Sequence, residues 1–424
     1  MTQNYDPIRA SDVQLAQSRI SSEIAPTPLH YCPRLSQITG YEVFLKREDQ
    51  QDVRSYKIRG SYFAISNLSE EQRAGGVVAA SAGNHAQGVA YACRTMGIKG
   101  KIFVPGPTPK QKRDRILVHG GDAVELVVVG ANFDEAAAAA RADAEARGAT
   151  MIEPFDARDT ITGQGTVAAE IVSQLSAQGR SLDAVVAPVG GGGLLGGIVS
   201  YVADMSPRTQ VYGIEPQGAA SLTAALRAGE PVTLDEIDPF VDGAAVGRIG
   251  SLPFDIVSHN RERLSCETVS EGAVCTELLE LYQNEGIIAE PAGALSVAGL
   301  ELVDAPAGST VVCVISGGNN DVLRYAEIME RSLVHRGLKH YFLVNFPQEP
   351  GQLRAFLEEI LGPHDDITLF EYLKRNNRET GAALVGLQLG EAVGLPGLLA
   401  RMEESRIKCQ RLEPGTPEYE FLVS

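Results

Sequence analysis

The segment DVRSYKIRGSY, residues 52–62, places Lys57 between an aromatic residue, Tyr56, and an aliphatic one, Ile58. These neighbours predict that the lysine is partly buried. Burial disfavours a charged amine, so its pKa falls and it becomes a nucleophile that can bind a carbonyl compound covalently. A half-buried helix residue with a solvated tip would show the same pattern, so the rest of the chain has to decide.

A run of four glycines follows an apolar stretch in PVGGGGLLGG. A predicted strand ends there, Leu194 opens a helical pattern, and the run itself is Gly190, Gly191, Gly192 and Gly193, hereafter the glycine loop. Consecutive glycines let backbone amides surround a terminal phosphate without interference from a Cβ atom. A dinucleotide-binding turn and a plain packing turn are the alternatives. The first is disfavoured because no acidic residue in the sequence is obviously placed to bind a ribose.

A second glycine-containing segment, SAGNHAQG, also lies between an apolar run and a helical pattern. Backbone amides at the start of a helix converge on anions. We therefore predict a loop that binds the carboxylate of a substrate, formed by Ser81, Ala82, Gly83, Asn84 and His85.

Two further segments carry polar residues where a strand ends or a helix begins. VVCVISGGNND ends a strand at Ile315 and offers the hydroxyl of Ser316 to the crevice where parallel sheets bind ligands. IAEPAGALS places Glu290 just before a helix start, where a carboxylate usually caps the helix or stays in solvent. Ser316 is therefore a site candidate only together with the other segments, and Glu290 receives no chemical role.

One cofactor needs all of these features together. Pyridoxal 5'-phosphate requires an amine, a phosphate cup, a donor for its ring oxygen, a partner for its ring nitrogen and a nearby site for the substrate carboxylate. Lys57, the glycine loop, Asn84, Ser316 and the 81–85 loop supply them in that order. Each match alone is weak, and their conjunction predicts a pyridoxal-phosphate enzyme.

The motifs SYKIRGSY, SAGNHAQG, PVGGGGL and SGGNND, in this order, resemble those of the fold-type II pyridoxal-phosphate enzymes. The resemblance is strongest to the biosynthetic threonine dehydratases, or threonine ammonia-lyases, and spans nearly the whole chain. It implies a two-lobed catalytic domain similar to the tryptophan synthase β-subunit and a single ACT-like regulatory domain. It also implies a lyase that converts L-threonine to 2-oxobutanoate and ammonia, the first committed step of isoleucine biosynthesis, with L-serine as a slower substrate.

The same resemblance implies individual roles. Lys57 would bind the cofactor covalently and then act as the base at the substrate Cα, with Tyr56 beside the ring. Asn84 would bind the ring oxygen, the glycine loop and Leu194 the phosphate, and Ser316 the ring nitrogen. A serine hydroxyl does not keep that nitrogen protonated, so the ring withdraws electrons less strongly and elimination is favoured over transamination.

Two positions distinguish this chain from relatives. Ala82 stands where the racemases have an acid–base serine, which disfavours the alternative of a serine racemase, although a serine dehydratase or racemase-like enzyme stays open. Glu215 and the carbonyl of Ala219 match a cation site. In that cation site, Ser221 stands where divalent-binding relatives have an acidic residue. A monovalent ion is therefore the better candidate for the site than a divalent one.

Composition also limits the classes of molecule that the protein is expected to bind. A net charge of -17 with no long basic run argues against binding nucleic acid or an anionic membrane. The six cysteines are scattered without a C-x-x-C pair, which is typical of reduced thiols in a cytoplasm. No membrane-spanning run and no targeting segment is evident. We therefore expect a cytoplasmic enzyme with small-molecule partners, and the resemblance implies a homotetramer.

Short apolar runs alternate with helical patterns from about Gly75 to Leu333 and predict βαβ units with parallel sheets, an α/β fold. We place the catalytic domain at residues 1–330, with a smaller lobe at about 46–153 inserted in the larger one. Residues 338–424 show a βαββαβ order, which predicts an α+β ferredoxin-like, ACT-like domain.

The resemblance implies that this C-terminal domain senses an amino acid, with isoleucine as inhibitor and valine as a candidate antagonist. A turn that exposes helix-start amides to a carboxylate and nearby aromatic residues form the candidate effector site: Phe346, Glu349, Gly351, Phe370 and Tyr372. Alternating aromatic residues in strands are also typical of a core.

Two other classes of function make different predictions. A catalytically inactive amino-acid sensor would be expected to lose the lysine or the glycine loop, and the sequence retains both. A nicotinamide-dependent dehydrogenase would bind a nucleotide and would not be yellow.

Overall fold

The computed structural model describes residues 6–372 and 380–423. The chain divides into two compact units, Met1–Val322 and Leu323–Ser424. The first residues of the N-terminal segment, 1–5, and the connection of the predicted C-terminal hairpin, 373–379, lie outside the described residues. Within the described ranges, no helix is both long enough and apolar enough to cross a membrane.

The strands of the first unit form a larger and a smaller sheet. In chain order they are β1 (Leu29–Tyr31), β2 (Glu42–Arg47), β3 (Val77–Ala80), β4 (Gly100–Val104), β5 (Val124–Val128), β6 (Thr150–Met151), β7 (Ala184–Pro188), β8 (Gln210–Pro216), β9 (Leu264–Val269) and β10 (Thr310–Ile315). The larger sheet has the order β1-β2-β10-β7-β8-β9 and the smaller one β5-β4-β3-β6. All neighbouring strands are parallel except β1 and β2.

Helices fill the connections between these strands. They are α1 (Ala10–Ile20), α2 (Pro33–Thr39), α3 (Lys57–Ser66), α4 (Glu70–Gly75), α5 (Asn84–Met96), α6 (Lys110–Gly120), α7 (Phe133–Arg147), α8 (Arg158–Ala177), α9 (Gly193–Met205), α10 (Ser221–Ala228), α11 (Ser251–Ser258), α12 (Glu271–Glu285) and α13 (Pro291–Ala298). Every residue of β7 and β10 is buried, as expected for parallel strands covered on both faces. The parallel α/β architecture predicted from the sequence is confirmed.

The chain leaves the larger sheet after β2, forms the smaller sheet, and returns to the larger one at β7. Lys46 itself lies in β2, where it pairs with Val314 of β10. The carboxyl ends of β2, β7 and β10 lie at the same edge of the larger sheet because the three strands are parallel. Helices α3 and α9 start from that edge.

Helix α3 packs on α8 with almost no side chain between them. A Cβ atom on Gly60 would lie 2.5 Å from the Nε2 atom of Gln164, and one on Gly163 would lie 2.7 Å from the Cα of Gly60. These distances are shorter than real Cβ contacts, so both positions require glycine. The backbone of α3, which begins at Lys57, is therefore held at a fixed distance from α8.

The second unit has the predicted βαββαβ order. It contains α14 (Tyr325–His335), β11 (Lys339–Pro347), α15 (Gln352–Ala355) continued by a π-helical turn (Phe356–Ile360), β12 (Asp366–Tyr372), β13 (Thr380–Gln388), α16 (Leu395–Glu404), β14 (Lys408–Leu412) and α17 (Pro417–Val423). The sheet is antiparallel with the order β12-β13-β11-β14. This is the ferredoxin-like arrangement, so the α+β prediction for the C-terminal region is confirmed.

Candidate active site

Lys57 is the first residue of α3, and its amine lies in a pocket. The Nζ atom donates a hydrogen bond to the carbonyl oxygen of Pro154, 2.9 Å away, and lies 5.3 Å from the centroid of the Tyr56 ring. Burial lowers the pKa of Lys57 to about 8, and the negative charge of Glu290 opposes this shift. The partial burial predicted from the sequence is found, and at neutral pH the amine is uncharged more often than an exposed lysine.

The glycine loop lines the same pocket as Lys57. It connects β7 to α9, and Gly192 has a φ of 88°, in the left-handed region that favours glycine. A Cβ atom on Gly191 would lie 2.3 Å from ring carbons of Phe155. Because side chains are excluded and α9 begins at Gly193, the loop presents backbone amides and a helix N-terminus, which suit a phosphate.

Ser316 follows β10 and is bonded to the segment that carries Lys57. The backbone N–H of Tyr56 donates to the carbonyl oxygen of Ser316 at 3.1 Å, and Ser55 forms a β-bridge with Gly317. The side chain of Ser316 is 2% exposed, and its hydroxyl donates to the carbonyl oxygen of Ala292 at 3.2 Å. The structure thus brings the predicted ring-nitrogen partner next to the lysine segment.

Asn84, the first residue of α5, lies in a chain of polar side chains. Its Nδ2 atom donates to Oε1 of Glu290 at 2.5 Å, and its Oδ1 atom accepts from Nδ2 of Asn319 at 2.7 Å. Glu290 is 5% exposed, so it is neither solvated nor bonded to its own helix by a side-chain cap. The expectation of a capping or solvated carboxylate at Glu290 is wrong.

Burial raises the pKa of Glu290 to about 7, and the nearby charge of Asp242 adds to this effect. Hydrogen bonds from the Asn84 side chain and the Asn319 backbone and the charge of Lys112 oppose it. The sequence did contain a signal for this residue, because Glu290 interrupts the apolar run GIIAEPAGALSVAG. Such a run is compatible with burial of the carboxylate, and a buried carboxylate needs a partner.

Within the 81–85 loop, the side chain of His85 lies in the core. His85 is 3% exposed, and its Nε2 atom lies 2.7 Å from the carbonyl oxygen of Ile152. A carbonyl can only accept, so Nε2 carries the proton and Nδ1 accepts from the hydroxyl of Ser61 at 3.2 Å. Burial and the charge of Lys57 lower the pKa of His85 to about 3, so the ring is neutral. The side chain is used in the core, which leaves the backbone amide for the predicted carboxylate role.

Two other members of this loop make local contacts. The N–H of Gly83 lies 3.3 Å from the hydroxyl oxygen of Ser81, and Ala82 packs against the apolar core that α3 and α5 share.

Sequence reasoning also missed Phe155 and Pro154, which lie beside the glycine loop and the Lys57 amine. Their segment, EPFDARD, has no pattern that points to a ligand.

A buried charge cluster that includes a residue of α3 was not predicted. Its members are Lys46, Glu48, Arg59 and Glu170. The guanidinium of Arg59 donates to both carboxylates, at 2.7 and 2.8 Å to Glu48 and at 2.6 and 2.9 Å to Glu170. The cluster ties β2, α3 and α8 together close to Lys57.

Glu215, a predicted cation ligand, makes a helix cap. Its carboxylate oxygens accept from the backbone N–H groups of Leu222 and Thr223 at 2.6 and 2.8 Å, at the start of α10. Ala219 is buried, and the hydroxyl of Ser221 is buried without a hydrogen-bond partner. Among the described residues there is no cluster of three or more His, Cys, Asp or Glu side chains suited to a metal. The cation site stays a prediction.

The predicted effector residues of the second unit divide into buried and exposed members. Phe346 is 4% exposed and lies 5.5 Å from the Phe356 ring, so it belongs to the core. The rings of Phe370 and Tyr372 each lie 6.0 Å from Phe346 and are 37% and 38% exposed. The other two candidates lie after β11: Glu349 is exposed and Gly351, with a φ of 92°, precedes α15.

Comparison with known proteins agrees with this geometry. A family model described as pyridoxal-phosphate dependent enzyme matches residues 20–317, and one described as the C-terminal regulatory domain of threonine dehydratase matches residues 330–422. A biosynthetic L-threonine dehydratase of Corynebacterium glutamicum is 70% identical over 423 residues, which is 100% of this chain and 97% of that protein. The predicted cofactor class and regulatory C-terminal domain are confirmed.

Solved structures show the same fold. The processed form of threonine deaminase isoform 2 from Solanum lycopersicum has a TM-score of 0.70 at 34% identity and covers 78% of this chain and 96% of its own. Maize serine racemase also has a TM-score of 0.70, at 28% identity, covering 78% and 99%. The fold of this chain is therefore equally similar to a threonine deaminase and to a serine racemase. The regulatory-domain match and the 70% identity instead point to the threonine dehydratases. The chain belongs to the pyridoxal-phosphate-dependent enzymes and, within them, to the biosynthetic threonine dehydratases.

Proposed function

We propose that this protein uses pyridoxal 5'-phosphate to convert L-threonine to 2-oxobutanoate and ammonia, and L-serine more slowly to pyruvate. The observation that carries the proposal is the pocket in which the Lys57 amine, with its lowered pKa, lies beside the glycine loop. The residues present fit the cofactor. A Cβ atom at Gly191 would collide with Phe155, so the loop carries no side chain there, and the amides at the start of α9 stay available to a phosphate.

When bound, pyridoxal phosphate supplies an electron-withdrawing ring conjugated with the nitrogen of the substrate. The protein's own groups would hold that ring. The glycine loop and Leu194 would bind the phosphate, Asn84 would donate to the ring oxygen, and Ser316 would meet the ring nitrogen. Tyr56 would lie beside the ring. Because Ser316 is a neutral hydroxyl, it leaves the ring nitrogen unprotonated and favours elimination.

Lys57 also moves protons. Its amine removes the proton from the substrate Cα, and a base with a pKa of about 8 is suited to this task near neutral pH. The backbone amides of the 81–85 loop bind the substrate carboxylate. The proton from Cα and the β-hydroxyl leave together as water, and the resulting enamine takes up one water to give 2-oxobutanoate and ammonia.

Racemisation is less well supported. It requires a second acid–base group on the opposite face of the substrate, and the candidate position is Ala82. A methyl group transfers no proton. The packing of Ala82 against the core further supports elimination over racemisation.

We also propose that the catalytic domain spans residues 1–330 and that an ACT-like domain, residues 338–424, binds isoleucine as inhibitor and valine as antagonist in a cytoplasmic homotetramer. The exposed rings of Phe370 and Tyr372 support this assignment, since they supply apolar contact area beside Phe346. Among the described residues no two cysteines are joined in a disulfide, which is compatible with a reducing compartment. The candidate cation at Glu215 and Ala219 is monovalent.

The deciding experiment is a visible absorption spectrum of the purified protein before and after L-threonine is added, with 2-oxobutanoate measured in the same sample. We expect a yellow protein whose band and product release both require Lys57. A protein that stays colourless with added pyridoxal phosphate would contradict the proposal.

A further inference from the structure

Glu290 joins parts of the molecule that belong to different sheets. It precedes α13, which packs on β7 and β10 of the larger sheet. Its carboxylate accepts from the side chain of Asn84, at the start of α5 beyond β3 of the smaller sheet. The backbone N–H of Asn319 also donates to this carboxylate. One buried side chain therefore joins three segments of the chain.

The chain of hydrogen bonds around Asn84 allows one orientation of its amide. Asn319 donates from Nδ2 to the carbonyl oxygen of Val53 at 2.8 Å, and a carbonyl can only accept, so the nitrogen end of Asn319 is fixed. The same nitrogen donates to Oδ1 of Asn84. The Nδ2 atom of Asn84 must then face Glu290, whose carboxylate accepts. This leaves Asn84 a second N–H to donate.

Packing keeps Glu290 in this place. A Cβ atom on Gly317 would lie 2.2 Å from Oε1 of Glu290, and one on Gly293 would lie 2.2 Å from the carbonyl oxygen of Gly317. The backbone N–H of Glu290 donates to that carbonyl oxygen at 3.1 Å. Gly317 makes room for the carboxylate, and Gly293 makes room for the Gly317 carbonyl that bonds to the Glu290 backbone.

We propose that Glu290 is a positioning residue that acts through Asn84. It holds the Asn84 amide with its nitrogen, rather than its oxygen, available to the ring oxygen of the cofactor, and it does so by a bond between the two sheet layers. The inference rests on the proposed function. Its physical basis is that an amide turned the other way would present an oxygen to an anionic ring oxygen, which is repulsive instead of attractive.

A double-mutant cycle tests this role. Apoprotein is titrated with pyridoxal phosphate, followed by absorbance, for the parent protein, Glu290→Ala, Asn84→Ala and the double variant. We expect Glu290→Ala to weaken cofactor binding by about 10-fold, in the range of a hydrogen bond to a charged group. In the Asn84→Ala background the same substitution should change binding by less than about two-fold, because its target is gone.

Kinetics provide a second readout. We expect Glu290→Ala to lower kcat more than it raises KM for L-threonine, since the amide contacts the cofactor rather than the free substrate. Glu301→Gln is the control, because Glu301 is an exposed carboxylate that follows α13. It should leave cofactor binding and turnover unchanged.

Equal losses on Glu290→Ala in both backgrounds would overturn the proposal and make Glu290 a purely structural residue. Unchanged cofactor binding in the single variant would do the same. If Glu290→Ala does not fold, the cycle is run with Asn319→Ala, which removes the group that holds the other end of the amide and should show the same dependence on Asn84. A parent protein that binds no pyridoxal phosphate is a different result and refutes the proposed function itself.

Discussion

Two lysines, the buried Lys46 of β2 and the partly buried Lys57 at the start of α3, have opposite surroundings. The Nζ atom of Lys46 lies 2.6 Å from Oε2 of Glu170, 2.8 Å from the carbonyl oxygen of Thr27 and 3.0 Å from Oε1 of Gln174. The Nζ atom of Lys57 donates to the carbonyl oxygen of Pro154, with no carboxylate within ion-pair distance in the part of the chain that the structure describes.

This difference distinguishes Lys46, whose charge stabilises the fold, from Lys57, whose amine is available to react. The buried charge cluster around Lys46 has two cations and two carboxylates, so each ion has a partner. Burial lowers the pKa of Lys46 as well, but Glu48 and Glu170 oppose it. Lys57 has weaker compensation, and its pKa falls to about 8. An uncompensated buried amine is costly to keep charged and is therefore available as a nucleophile.

The largest effect should follow from removing the uncompensated amine. We expect Lys57→Ala to reduce threonine turnover by about 10⁴-fold, because the covalent attachment and the base at Cα are lost together. The measurement is product release at saturating cofactor. Lys110→Ala is the control, since Lys110 is 80% exposed. Activity within ten-fold of the parent protein would show that another group acts as the base.

Removing a member of the buried charge cluster should lower the stability of the fold. We expect Arg59→Met to lower the free energy of unfolding by about 3–5 kcal/mol, because Glu48 and Glu170 would be left buried without this partner. Urea denaturation measures the loss as a lower midpoint. Lys57→Met, two residues away on the same helix, should lower it much less. Equal losses for the two variants would remove the distinction between the two lysines.

Glu290 should make stability depend on pH. Burial raises its pKa to about 7, so between about pH 4.5 and 7 the folded protein keeps a proton that the unfolded chain releases. This contribution is fully present below pH 4.5 and is lost as the pH rises to 7. We expect the stability of the parent protein relative to Glu290→Gln to fall by about 3 kcal/mol over that interval. The test compares unfolding temperatures of the two apoproteins across pH, and parallel curves would refute the assignment.

The smallest effect is expected in the second unit, where an exposed ring is compared with a buried one. Tyr372→Ala should weaken the inhibition of turnover by isoleucine about 10-fold and leave basal turnover unchanged, because the side chain is 38% exposed. Phe346→Ala should instead cost about 3–5 kcal/mol of stability, since Phe346 is a core residue. Unchanged isoleucine inhibition in Tyr372→Ala would place the effector elsewhere.

The amino-acid sequence by itself determined the elements and the main contacts of the pocket. Apolar runs identified β7 and β10, and the glycine run and the apolar neighbours of Lys57 predicted two parts of the chain that line one pocket. These signals are local, because strand periodicity and the conformational freedom of glycine are properties of short segments.

Only the tertiary structure decided which distant residues complete the site. Glu290 and Asn84 are 206 positions apart, and Arg59 and Glu170 are 111 apart. His85 was placed in the core by its bond to Ile152, although its motif suggested a ligand contact. A carboxylate before a helix has the same local sequence pattern whether it is solvated or buried. Its role follows from the packing of two sheets, which fixes the burial and the hydrogen-bond partner that set its pKa.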